Sequence, residues 1–88
     1  MTTEEIKASL AEIDPDILMA DGFEAALIGT VTIFNKTVAC YDLQKCIQIL
    51  IERDSMTEDE ANEFFDFNVI GAYMGEYTPA FFSPLPEG

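Results

Sequence analysis

Eighty-eight residues supply one domain, too short to be divided between two hydrophobic cores. Apolar residues make up 49%, enough for a core without disulfide or metal staples, and 17 Asp and Glu against 4 Lys and Arg leave a formal charge of −13. That balance argues against direct binding to nucleic acid, which needs cations to displace counterions from phosphates, and against an anionic membrane surface.

The first helix is expected from about Thr3 to Ile13. Thr2 and Glu5 fit a capping box, and Ile6, Leu10 and Ile13 recur at i, i+4 and i+7. Asp14-Pro15-Asp16 ends it, because proline disfavours helical geometry in the residue before it. Ile17 to Ala20 reads as a short buried segment stopping at the turn Asp21-Gly22, and Phe23 to Ile28 as a short helix closed by Gly29. Thr30–Phe34 and Thr37–Tyr41 are β-branched or aromatic and flank Asn35-Lys36, which predicts a hairpin. The rival reading carries the Phe23 helix through Phe34. The period-two alternation and the rotamer cost of β-branched residues on helices favour the hairpin.

Asp42 caps a helix from Leu43 to about Arg53, with Leu43, Cys46, Ile47 and Leu50 on one face and Ile49 and Ile51 widening it. After the break at Asp54-Ser55-Met56, Thr57 and Glu60 form a second capping box, opening a helix to about Gly71. Asn68, set among Phe67, Val69 and Ile70, is expected to be a buried, hydrogen-bonded amide. Thr78 to Phe82 reads as a last short strand. Two prolines in Ser83–Gly88 predict a frayed tail, leaving residues 1–82 as the folded domain. The fold class is α+β: about four short helices on a small two- or three-stranded sheet.

Cys40 and Cys46 read as small buried hydrophobes rather than a disulfide, and the chain has no histidine. A structural zinc site takes four Cys or His ligands, so neither a metal nor a cofactor is expected. Without histidine there is no ordinary Ser–His or Cys–His pair, and the chain is expected not to be an enzyme. Asp21, Glu24 and Asp42 lack the twelve-residue calcium-loop pattern. The longest nearly apolar run, Ala25 to Phe34, is far short of the ~20 residues that span a bilayer. The opening Met1-Thr2-Thr3-Glu4-Glu5 is acidic where a secretion signal is basic, so a reduced, cytoplasmic setting is expected.

The acid is concentrated. Residues 1–24 carry −6 and residues 52–66 another −6, whereas residues 25–41 hold no acid and only Lys36. Asp59, Glu63 and Asp66 stand at i, i+4 and i+7, a carboxylate stripe roughly 10 Å long on a helix, with Glu52 and Asp54 approaching from the preceding turn. Three charges over that length approach the spacing of phosphates along one DNA strand, about one per 3.4 Å. The stripe is therefore a candidate DNA mimic facing a basic partner. Its other reading is a solvated helix face opposite Phe64 and Phe65.

Four stretches carry a resemblance: Ile17 to Gly29, Tyr41 to Ile47, Glu63 to Gly71 and Gly75 to Pro79. With their spacing, the chain resembles a family of short acidic proteins encoded by tailed bacteriophages. The resemblance implies a host bacterial cytoplasm and a protein that blocks a host defence or DNA-handling factor, such as a restriction, BREX or CRISPR component, by binding its basic surface. It brings no catalytic motif. The alternative is a small-molecule sponge for an immune nucleotide signal, held at helix N-termini. Phe81 and Phe82 point to opposite sides of an extended segment, so one is hard to bury. A homodimer, or a partner covering that segment, is expected there, with the contact drawn from the uncharged waist and the C-terminal segment because two −13 chains repel.

Overall fold

Helix ends are where the chain's local chemistry acts most directly. In a computed structural model describing residues 2–70 and 75–86, Thr2 accepts from the Glu5 amide and Glu5 from that of Thr2, opening α1, Thr3–Ile13. The second capping box opens α3, Glu58–Phe65, through Thr57 and Glu60. Between them lies α2, Leu43–Asp54, capped by the Asp42 carboxylate at 3.3 Å from the Lys45 amide and closed by Ser55 in left-handed geometry. Ile6 and Leu10 face the core as their spacing predicts, but Ile13 stays 55% exposed at the helix end.

Among the described residues the sheet has three strands, β1 Leu27–Ile33, β2 Lys36–Asp42 and β3 Ala80–Phe82, in the order β1-β2-β3. β1 and β2 run antiparallel, and β3 joins β2 in parallel through Cys40–Ala80, Tyr41–Phe81 and Asp42–Phe82. The fold is α+β, with three α-helices among the described residues rather than about four. The expected Phe23–Ile28 helix is only a 3-10 turn, Glu24–Ala26, because Leu27 and Ile28 already belong to β1. A bulge at Ile28 shifts the register, and Gly29 follows it in the strand at φ +154° instead of closing a helix.

The hairpin forms, with its loop one residue earlier than expected, at Phe34-Asn35. The observed register sets Val31 opposite Val38 and Thr32 opposite Thr37, whose hydroxyls lie 3.2 Å apart. Like cross-strand pairs of this kind stabilise a ladder. The cost falls on Phe34, which adopts φ +56° at the tip.

Helices and sheet meet over Tyr41, Cys46, Leu50 and Phe65, all fully buried. Phe65 is held edge-on between Phe23, at 5.6 Å, and Phe81, at 5.0 Å between centroids. The Tyr41 hydroxyl accepts from the Ala20 amide at 2.8 Å, which fastens the half-buried Ile17–Ala20 segment to the sheet. Burial is the main reason the Tyr41 hydroxyl titrates above its ordinary range. On the outside, Tyr77 donates to Asp14 at 3.0 Å and ties the approach to β3 to the exit of α1.

After Phe65 the helix widens into a π-turn, Asp66–Ile70. The wider i→i+5 turn sets Val69 against the core and turns Asn68 outward. Asn68 is thus exposed, not buried, and donates to the Phe64 carbonyl at 3.1 Å. The expected end at Gly71 lies outside the described residues. Ser83 to Pro86 are exposed and without regular structure. No helix among the described residues is long and apolar enough to cross a membrane.

Candidate protein-binding surface

Charged side chains seek water, and all five carboxylates singled out in the sequence, Glu52, Asp54, Asp59, Glu63 and Asp66, belong to exposed residues. They are not equivalent. Asp54 is gripped by Arg53, with Nε 3.3 Å from Oδ1 and Nη2 3.1 Å from Oδ2, so its charge is largely answered within the chain. Glu52 accepts from Gln48 at 3.1 Å. Asp59 stands in the first turn of α3 with Glu58 and Glu60, where carboxylates also favour the positive end of the helix dipole. Glu60 is held below the usual carboxylate range first by the Thr57 amide and then by its hydroxyl.

Among the described residues, the Glu63 and Asp66 side chains have no such structural duty. Asp66 remains helical, at φ −60° and ψ −43°, its amide reaching the carbonyls of Asn62 and Glu63. Asp59 and Glu63 thus lie within α3 and Asp66 at its helical C-cap, where the π-turn starts. Both ion pairs among the described residues, Lys36–Glu76 and Arg53–Asp54, lie off the stripe.

Beside these acids lie exposed aromatic rings. Of the two rings set opposite the solvated face, Phe65 is fully buried, but Phe64 is 38% exposed, as Phe67 is 77% exposed. Phe64 and Phe67, with Met56, Glu60, Glu63 and Asn68, line a shallow, open depression of about 440 Å³. The signal was available: Glu60, Phe64 and Phe67 recur at i, i+4 and i+7, so they share a helix face. The result is an aromatic floor edged by carboxylates, complementary to an arginine or lysine whose stem lies on the rings while its charge meets Glu60 or Glu63.

No family model matches the chain, and no curated protein or solved structure matches it. The surface itself must therefore carry the functional argument.

The two aromatic residues expected at an oligomer contact part company. Phe81 packs on Phe65 and lies 5.8 Å from Tyr41, on the core side of β3, whereas Phe82 is 48% exposed. Both cysteines are free and buried, and burial pushes the Cys46 thiol to about 12, so it is protonated at neutral pH. A second cleft, of about 230 Å³, lies between Met19, Phe23, Val69 and Phe81 with Asp21 at its rim. Two further clefts contain a lysine, but Lys7 shares its cleft with Asp14 and Asp21, and Lys36 shares its cleft with Glu76.

Proposed function

We propose that this chain is an acidic protein-binding domain that covers a basic, DNA-handling surface of another protein. The observation that carries this reading is the surface of α3 and the π-turn, where exposed Phe64 and Phe67 adjoin Glu60 and Glu63 on a chain of net charge −13. Carboxylates draw a cationic surface in, and the rings give it apolar contact that a merely solvated face lacks. The resemblance to short acidic phage proteins supplies the setting: a host bacterial cytoplasm, with a restriction, BREX or CRISPR component as target. The nucleotide-sponge alternative is weakened by clefts whose lysines already face carboxylates.

Purified restriction, BREX and CRISPR components, immobilised and titrated with this chain from low to physiological salt, test the proposal. Affinity should fall as salt rises, and Glu63→Lys should weaken it tenfold or more, about 1.4 kcal/mol. Phe67→Ala should weaken it without altering the salt slope. Binding of none at low salt, or binding indifferent to salt and to both substitutions, rejects the proposal. Stabilisation by cyclic or linear nucleotides in a thermal shift would instead favour the sponge.

A further inference from the structure

β1 is an edge strand, and it lacks most of the protection such strands normally carry. From Gly29 to Ile33 it has no charge and no proline, and its single bulge lies at its beginning, at Ile28. Ile28 is 55%, Ile33 56% and Phe34 99% exposed. The hairpin geometry fixes which groups this edge presents. In a two-residue loop the flanking residues, Ile33 and Lys36, form a hydrogen-bonded pair. By alternation Val31 also turns its amide and carbonyl to β2, and Thr30 and Thr32 turn theirs to the open side.

We propose that this edge is a self-association surface, on which β1 of a second copy of the chain lies antiparallel to form a continuous six-stranded sheet. Charge limits where two copies can meet. Two −13 chains repel, and residues 25–41 are the stretch without a single carboxylate; their one charge, Lys36, is 2.5 Å from Glu76. The edge amides select the register. Thr30 pairs with Thr32 of the second copy and Thr32 with its Thr30, which sets Val31 against Val31 on the twofold axis. Ile33 then lies opposite Gly29 of the second copy, where a side chain would meet nothing within 4 Å. Phe34 reaches toward Ile28 of the second copy. The contact leaves α3 free on both chains, so it stands independently of the binding function proposed above.

Sedimentation equilibrium on the full chain tests this, from low micromolar to several hundred micromolar and at low and high salt. The wild type should approach twice 9.8 kDa, with association strengthened by salt as the repulsion is screened. Thr30→Asp puts a like charge at the centre of the contact and should weaken association at least tenfold with an unchanged far-ultraviolet spectrum. Thr32→Pro removes an amide that faces outward and spares the backbone ladder, at the loss of the Thr32–Thr37 hydroxyl contact, and should act likewise. Phe82→Asp, on the opposite edge of the sheet, should have no effect. A wild type monomeric throughout overturns the proposal, as does a dimer that survives Thr30→Asp and Thr32→Pro or dissociates only with Phe82→Asp.

Discussion

Gly22 is a point where one methyl group should be costly. Its φ is +91°, and a Cβ there would stand 2.8 Å from Nη1 of Arg53. The same nitrogen donates to the Gly22 carbonyl at 3.0 Å, and the guanidinium carbon lies 5.5 Å from the Phe23 ring centroid. Gly22→Ala therefore strains the backbone by about 2 kcal/mol. It also displaces the guanidinium, removing an exposed hydrogen bond and a cation–π contact that together contribute about 1 kcal/mol. The sum, about 3 kcal/mol, corresponds to a fall in Tm of roughly 12–24 °C for a domain of this size. Urea denaturation of Gly22→Ala, Arg53→Met and the double variant separates the two parts. Arg53→Met should cost about 1 kcal/mol, and the double variant should fall short of additivity by about the same amount, since the contact is lost only once. A Gly22→Ala loss below about 0.5 kcal/mol, or strict additivity, refutes the reasoning.

Burial raises the Cys46 thiol from 9.0 to about 12, so the folded state holds its proton longer than the unfolded state. The stability this contributes is complete below pH 9 and is lost as pH rises towards 12, by up to about 4 kcal/mol at about 1.4 kcal/mol per unit. Urea midpoints from pH 8 to 10.5 should therefore drop faster for the wild type than for Cys46→Ala; parallel declines contradict the assignment. Phe34→Asn places at φ +56° a residue that tolerates left-handed geometry, and should raise Tm by about 4–8 °C for about 1 kcal/mol of relieved strain. In sedimentation it should also weaken self-association, and an unchanged Tm would show that the tip is not strained.

What could be read in advance depended on how local the determining interaction is. Both capping boxes and the Asp42 cap were legible because each joins side chain and amide within three residues. The hairpin was legible from its alternation, but not the position of its loop, which the Val31–Val38 and Thr32–Thr37 pairs decide across the strands. The parallel seat of β3 beside β2 links residues 40 apart, and no local pattern encodes it. The candidate site divides the same way. The carboxylates were placed correctly in solvent because charge alone puts them there. Phe64 and Phe65 were both set opposite the solvated face, although only Phe65 enters the core. The π-turn that turns Asn68 outward depends on how Val69 meets the core, a tertiary contact.

The two proposed surfaces follow from one partition of charge. Acid gathers on α1 and its exit and from Glu52 to Asp66, while residues 25–41 carry none, and in three dimensions this separates an acidic helix face from an uncharged strand edge. Salt must then act on them in opposite directions. Screening weakens the attraction of Glu63 and Asp66 for a cationic target and relieves the repulsion between two copies meeting at β1. If both contacts form, a dimer presents two α3 faces to a target with repeated basic sites, and the second contact is made at high effective concentration. Thr30→Asp should then lower apparent affinity for such a target while leaving that of a single isolated site unchanged, whereas Glu63→Lys should lower both.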